Sequence, residues 1–202
     1  MNQRAARFLS FCLHPVWMPA ISLFIIFHLN SYLRVTVPEK LQWALYAIVV
    51  LDTIVVPLSI TYMLVNRGWI RTLDMEEKEE RIIPYLTNAG CLLLAFYMMK
   101  KIQAPNLFCL MMLGAFAAVI ISAIINLKWK ISLHMLGVGG FTGILFGLST
   151  LLIADLHQPI ILALLVSGLL GTARLSLSAH QPMQVYGGFL LGFLCEFVLL
   201  AL

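Results

Sequence analysis

The chain has 202 residues, of which 61% are hydrophobic and 11% are charged, and its formal net charge is +4. An ordinary soluble domain is about one quarter charged, so this composition excludes a water-soluble globular protein. The positive charge is spread over the loops and does not form the basic patch of a nucleic-acid-binding protein. The sequence therefore indicates an integral membrane protein that has no nucleic-acid partner.

Apolar runs follow one another along the whole chain. Crossing a hydrocarbon core of roughly 30 Å takes about 20 residues of helix, and backbone groups in lipid must be hydrogen-bonded within their own segment. The runs predict an all-α fold, a polytopic transmembrane helical bundle of six to seven helices that forms a single domain over residues 1–202. The candidate helices are 16–33, 41–65, 84–101, 106–126, 132–154, 159–174 and 183–202.

Alternate crossings of these helices place four polar segments on one side of the membrane. The segments are the N-terminus, the charged loop 66–83, the tripeptide KWK at 128–130 and the stretch 173–182. The turns on the opposite side contain prolines and charges that are typical of a membrane surface. The unusual polar residues of this chain therefore converge on one face.

Glycines recur every four residues in two of the predicted helices. They are Gly139, Gly143 and Gly147 in the fifth helix and Gly188 and Gly192 in the seventh. Small residues at this spacing let membrane helices approach closely. We interpret them as a packing ridge, because the tetrapeptide GVGG lacks the lysine that a phosphate-binding P-loop needs.

Two carboxylic acids, Asp52 and Glu196, lie inside predicted helices. Ionisable residues are costly in a bilayer and are usually paired or functional. One interpretation is an interhelical hydrogen bond with the carboxyl group protonated, and the other is a proton or ion path. An ion path would need more such groups at a similar depth than the sequence offers.

Three polar stretches on the shared face contain the candidate site residues. LDMEEKEERIIPY (73–85) has Lys78 and Arg81, WKISLHM (129–135) has Ser132 and His134, and ARLSLSAHQPMQ (173–184) has Arg174, His180 and Gln184. The first stretch is also compatible with a solvated loop, and a single interfacial histidine with a simple hydrogen-bonding role. A further histidine on this face, His14, either lines an entrance or caps the first helix.

Two histidines, an arginine and a lysine on one face indicate a binding site for an oxyanion. A guanidinium group supplies paired N–H donors that match phosphate oxygens. Helix starts at Ser132 and near Met183 would add backbone amides and a favourable dipole. A phosphate-like group is therefore the expected ligand.

The spacing in the third stretch resembles a known motif. Arg174 is followed after five residues by His180, and His180 after three residues by Gln184, which is similar to Ser-Arg-x5-His-x3-Asp of the type 2 phosphatidic acid phosphatase superfamily. These membrane lipid phosphatases are related in their active site to vanadium haloperoxidases. Ser132 and His134 keep the serine and histidine of the family's Pro-Ser-Gly-His motif, without its proline and glycine.

The family's remaining motif, Lys-x6-Arg-Pro, has its counterpart around Lys78 and Arg81. Here the proline is displaced to Pro84, and Asp74 stands where the family has its lysine. The resemblance covers about residues 74–184, and the three motifs occur in the family order.

The resemblance implies a metal-independent lipid phosphatase that uses no cofactor. It makes His180 the nucleophile that forms a phosphohistidine, and His134 the group that protonates the departing alkoxide and later activates water. Phosphate oxygens would be bound by Arg174, Arg81, Lys78 and Ser132.

Gln184 replaces the family's aspartate. Four residues after His180 on a helix, its carbonyl oxygen can accept the Nδ1–H bond that orients the imidazole. A neutral amide cannot stabilise the imidazolium as a carboxylate would, so we expect slower turnover unless Asp74 or Glu77 compensates.

The implied substrate is a phosphorylated lipid such as phosphatidic acid, phosphatidylglycerophosphate or a prenyl diphosphate. The family favours a bacterial inner membrane with the active site on the periplasmic face. However, nine of the 13 basic residues lie on the motif face, and the positive-inside rule places such a face in the cytoplasm. The sequence does not define the head group or the oligomeric state.

Two other functions are compatible with the sequence. A divergent relative that has lost catalysis would act as a lipid-binding or scaffold protein. A magnesium-dependent polyprenyl transferase also binds lipid diphosphates in a helical bundle, and DMEEKEE (74–80) is acidic, but a second acidic motif is missing from the same face.

Overall fold

The structure, a computed structural model, describes residues 1–29, 31–71, 79–152 and 155–201, and every regular element in these ranges is helical. The helices are α1 (Gln3–Cys12), α2 (Met18–Leu29), α3 (Ser31–Thr36), α4 (Glu39–Val50), α5 (Val56–Asn66), α6 (Ile82–Lys101), α7 (Asn106–Asn126), α8 (Leu133–Leu151), α9 (His157–Ser176) and α10 (Pro182–Ala201). The short elements are 3-10 turns at Pro15–Trp17 and Glu79–Arg81 and a π turn at Leu51–Val55. The all-α prediction is confirmed.

Seven helical segments within the described ranges are long and apolar enough to cross a membrane. They are Gln3–Leu29, Glu39–Asn66, Ile82–Lys101, Asn106–Asn126, Leu133–Leu151, His157–Ser176 and Pro182–Ala201. The first begins earlier than the predicted residue 16, because the predicted helix did not include α1. Arg4 and Arg7 interrupt the apolar run there, and an amphipathic helix that packs on protein does not need a continuous run.

The outward surfaces of these segments are apolar. In α9, Ile161, Leu162, Leu165 and Leu169 are each 55–62% exposed. A helix in a water-soluble bundle would place polar side chains on that surface, and contiguous exposed apolar surface is the property that a bilayer selects. The protein is therefore an integral membrane protein.

The chain divides into two compact units. The first combines Met1–Met18 with Ile124–Leu202, and the second is Pro19–Ala123. In the second unit, the π turn joins α4 to α5 within one long span. Pro57 is the second residue of α5 and has no N–H to donate, so the normal hydrogen-bond ladder is interrupted at this point and the helix widens locally.

Each unit contains one of the two buried carboxylic acids. Asp52, in the π turn, is 5% exposed and Glu196, in α10, is 3% exposed. Within the part of the chain that the structure describes, neither Asp52 Oδ2 nor Glu196 Oε2 has a hydrogen-bond partner. The interhelical hydrogen bond that we expected is therefore not made by these two oxygen atoms.

In the first unit, α8 and α10 pack together along the predicted glycine ridge. A Cβ atom added at Gly139 would overlap the backbone carbonyl of Phe189, and one added at Gly192 would overlap the carbonyl of Leu136. Only a residue without a side chain permits this approach of two helix backbones. The interpretation of these glycines as a packing ridge is confirmed.

We expect Gly192→Ala to lower the free energy of unfolding by about 3 kcal/mol, since the added methyl group meets backbone that cannot rotate away. The measurement is thermal unfolding of the purified protein in detergent. Gly168→Ala is the matched control, because a Cβ added at Gly168 in α9 meets nothing within 4 Å. Equal effects of the two substitutions would contradict the ridge.

Candidate active site

The end of α9 and the loop that follows it hold two of the predicted site residues, Arg174 and His180. Arg174 lies in the last turn of α9, and a Schellman turn follows it, in which Ser178 N–H donates to Leu175 O and Ala179 N–H donates to Arg174 O. Ser178 has a φ of 54°, a left-handed conformation that costs a residue other than glycine about 1 kcal/mol. This turn reverses the chain, so that His180 follows Arg174 at the same end of the helices.

His180 is oriented by a helix cap. Pro182 is the first residue of α10, and Gln184, the third, directs its side chain back along the chain. Gln184 Oε1 lies 3.0 Å from Gln181 N and 3.2 Å from His180 Nδ1. A backbone N–H can only donate, so the atom that it meets is the amide oxygen, and His180 Nδ1 must carry the hydrogen that this oxygen accepts.

The contact that we expected between Gln184 and His180 is thus present, but its geometric basis differs from the expectation. Both residues were expected on one face of a helix, whereas His180 precedes α10. The backward direction of the capping side chain, rather than helical periodicity, brings the two groups together. In the neutral imidazole the Nε2 atom then keeps the lone pair.

Ser132 joins the start of α8 to the start of α10. Its N–H donates to Gln184 O at 3.3 Å, and a Cβ atom added at Gly188 would lie 2.5 Å from Ser132 O. Ser132 is fully buried, and its hydroxyl does not cap the helix that it precedes. Among the described residues, Ser132 Oγ has no hydrogen-bond partner, so a buried donor remains to be satisfied.

His134, in the first turn of α8, contacts the N-terminal segment. Its Nε2 atom lies 3.1 Å from the backbone carbonyl oxygen of Ser10 in α1. A carbonyl oxygen only accepts, so Nε2 carries the hydrogen and Nδ1 is the atom that can exchange a proton. The His134 ring also meets the edge of the His14 ring, with the ring centroids 5.1 Å apart.

Ser10 also contacts Arg174. The Arg174 Nη1 atom donates to Ser10 Oγ at 3.3 Å, and Ser10 is buried against α9. Ser10 was not predicted from the sequence, whereas His14 was predicted either to line an entrance or to cap the first helix. His14 Nδ1 accepts from Val16 N–H and so caps the 3-10 turn, while its ring contributes to the site. The signal available in the sequence was the pair of small residues Ala6 and Ser10, four positions apart.

The histidines and the arginine form one cluster within the first unit. His134 is within electrostatic range of Arg174, His14 and His180. Through the hydrogen bonds of Ser132 and Gln184, the structure brings together five of the seven predicted site residues. Four separate parts of the chain supply the cluster: α1 with the turn after it, the start of α8, the end of α9 and the start of α10.

Of the other two predicted residues, Arg81 and Lys78, the first lies in the second unit and the second lies outside the described residues. Arg81 lies in the second unit, at the end of a 3-10 turn, and is 8% exposed beside Tyr85. Burial lowers the pKa of the Arg81 guanidinium, and the neighbouring Tyr85 opposes this effect. The assignment of Arg81 to phosphate binding stays a prediction. Lys78, together with Asp74 and Glu77, lies outside the described residues.

Within the described ranges, no three His, Cys, Asp or Glu side chains lie together in a way that could hold a metal ion. No family model, curated protein or solved structure matches the chain. The fold and the cluster define an all-α integral membrane protein with an arginine and three histidines gathered at helix ends.

Proposed function

We propose that the protein is a membrane lipid phosphatase that hydrolyses a phosphomonoester or diphosphate of a lipid through a phosphohistidine intermediate. The observation that carries the proposal is the orientation of His180. Gln184 Oε1 accepts from the Nδ1–H group of this imidazole, so Nε2 keeps a lone pair for nucleophilic attack. An arginine and a buried serine hydroxyl in the same cluster suit the oxygens of a phosphoryl group.

In the first step, His180 Nε2 forms a bond to phosphorus, and the bond from phosphorus to the lipid oxygen breaks. The electron pair leaves with the alkoxide, which takes the proton from His134 Nδ1. Donors from Arg174 and Ser132 stabilise the charge on the non-bridging oxygens in the transition state. The product of this step is a free lipid alcohol.

In the second step, water attacks the phosphohistidine. The Nδ1 atom of His134, neutral after the first step, takes a proton from the water, and the oxygen forms a bond to phosphorus. The bond from phosphorus to His180 Nε2 breaks, which releases inorganic phosphate and restores the lone pair. The proposed cycle takes no step through a metal ion.

The resemblance of the sequence motifs extends this proposal in two ways. Arg81 and Lys78 would be further ligands of the phosphate, and the substrate would be phosphatidic acid, phosphatidylglycerophosphate or a prenyl diphosphate. The location would be a bacterial inner membrane with the active face toward the periplasm. The excess of basic residues on the motif face instead favours the cytoplasm. Labelling of single cysteines placed at Lys128 and at Lys101, on opposite predicted faces, measures the orientation.

The proposal is tested by phosphate release from these three lipids with the purified protein in detergent. We expect release from at least one lipid, inhibition by vanadate, which adopts the geometry of a pentacoordinate phosphoryl group, and no effect of EDTA. Loss of activity with EDTA would favour the magnesium-dependent transferase. No release from any lipid, together with retained lipid binding, would favour a scaffold protein.

We expect Gln184→Glu to raise the turnover number about tenfold. The carboxylate keeps the length of the side chain and its hydrogen bonds to Gln181 N–H and His180 Nδ1–H, and its charge stabilises the cationic ring that forms in the transition state. Gln184→Leu, which has a similar volume but no acceptor, should lower turnover. A decrease in Gln184→Glu would show that the amide has a role that we have not assigned.

A further inference from the structure

We propose that the C-terminal turn of α1 positions His134 as the general acid and base, in the place where other enzymes use a carboxylate. Ser10 is the positioning residue, and it acts through its backbone carbonyl on His134 and through its hydroxyl on Arg174. This inference rests on the proposed phosphatase function, since it concerns the proton that the departing lipid needs.

The Ser10 carbonyl is available to His134 because of how α1 ends. In a continuing helix the N–H group of His14 would donate to Ser10 O, but here it donates to Phe11 O, and Leu13 N–H donates to Leu9 O. The last carbonyls of a helix require partners from outside the helix. His134 Nε2, at 3.1 Å, is the partner of this carbonyl.

The end of α1 also has an electrostatic effect. The last turn of a helix carries partial negative charge and favours a cation placed beside it. α1 has ten residues and no basic side chain of its own in that turn. Among the described residues, the titratable and charged side chains that act on His134 are those of His14, Arg174 and His180, all of them basic. The carbonyl end of α1 therefore offsets part of the repulsion from these neighbours and part of the cost of burying a charged ring, and it holds Nε2–H in place when the imidazole is protonated.

The way in which α1 is held supports a positioning role. Its buried residues are Ala6 and Ser10, one helical turn apart, and they pack on α9, while Arg7, Phe8 and Phe11 are exposed. Ser10 Oγ accepts from Arg174 Nη1 at 3.3 Å. A single residue of α1 thus contacts both the proposed proton donor and the proposed phosphate-binding arginine.

The experiment depends on the leaving group. A lipid alkoxide must be protonated as it departs, whereas nitrophenolate departs without a proton. Arg7→Pro interrupts α1 before Ser10, because proline removes a helical hydrogen bond and clashes with the preceding turn. Arg7→Ala at the same exposed position is the matched control. The rate of the first turnover, in which the leaving group departs, is measured by rapid mixing for the wild type and both variants with a lipid phosphate and with p-nitrophenyl phosphate.

We expect Arg7→Pro to lower the first-turnover rate with the lipid phosphate by about tenfold to a hundredfold, and the first-turnover rate with the nitrophenyl ester by less than about threefold. Steady-state turnover should fall with both esters, because His134 also activates the water that hydrolyses the phosphohistidine. The alanine control should remain within about twofold for both substrates. Ser10→Ala, which keeps the carbonyl and loses the hydroxyl, should raise KM for both esters without changing their ratio. Equal losses of the first-turnover rate for both esters in Arg7→Pro, or none, would overturn the proposal.

A second measurement separates this inference from the proposed function. Nitrogen-15 NMR of the imidazoles in detergent, assigned with His134→Gln, reports which ring nitrogen of His134 carries the hydrogen. We expect the Nε2–H form in the wild type and in Arg7→Ala, and its loss in Arg7→Pro. An Nδ1–H form in the wild type contradicts the role of α1, whereas a wild type that hydrolyses neither ester contradicts the phosphatase.

Discussion

Replacing His180 with alanine is expected to lower the rate of phosphate release by about a thousandfold or more, because the variant has no nucleophile to form the covalent intermediate. The measurement is phosphate release from the best lipid substrate under saturating conditions. His157→Ala is the control, since His157 is an exposed histidine at the start of α9 that pairs with Asp155. A His180→Ala protein with more than about one tenth of the wild-type rate would exclude the phosphohistidine mechanism.

The same variant allows the intermediate to be trapped. Brief mixing of the wild type with a phosphorus-32-labelled substrate should label the protein through an acid-labile bond, and His180→Ala should stay unlabelled. With p-nitrophenyl phosphate, His134→Gln should release about one equivalent of nitrophenolate in a burst and then stop, because attack proceeds without the acid while water is not activated. A label that survives acid would indicate a different nucleophile.

Replacing Arg174 with lysine is expected to lower kcat/KM by about a hundredfold. A guanidinium presents a planar pair of donors to phosphate oxygens, whereas an ammonium is a single compact charge, and removing one transition-state donor typically costs about 10²-fold to 10³-fold. The hydrogen bond from Arg174 Nη1 to Ser10 Oγ would also be lost, which frees the orientation of the side chain. The measurement is kcat/KM together with the inhibition constant for vanadate.

Lys128→Ala is the control for this variant. Lys128 is an exposed cation in the segment before α8, so its removal changes the local net charge without removing a donor from the cluster. We expect its kcat/KM to fall less than threefold, as is usual for a surface substitution. Similar effects of Arg174→Lys and Lys128→Ala would mean that general positive charge, and not a specific phosphate contact, explains the role of Arg174.

The sequence predicted the spans well because the lipid-facing and buried residues of a membrane helix are both apolar, so that a continuous run marks the whole element. It did not predict α1, whose exposed Arg4 and Arg7 break the run. The glycine ridge was predictable because close packing of membrane helices permits few residue types. Gly192 and Gly139 meet backbone as that rule requires.

The site was only partly predictable. The spacing of Arg174, His180 and Gln184 is local, and a turn and a helix cap convert it directly into contacts. Ser10 is 124 residues from His134, and no periodicity in the sequence links residues so far apart. That contact depends on the packing of α1 against α9. The backbone carbonyl that meets His134 is common to every residue type, so the identity of residue 10 gave no signal for it.

The packing of α8 against α10 fixes the relative positions of the backbone segments that carry His134 and His180. At the start of the two helices Ser132 N–H is bonded to Gln184 O, and further along them Gly192 meets the backbone of Leu136. Sliding one helix along the other would break the bond and force backbone atoms into each other, so the pair moves as a rigid body. In the proposed phosphatase, the separation of His134 and His180 would therefore be set before a lipid binds, and discrimination among head groups would fall to the surrounding residues rather than to a closing motion of these helices.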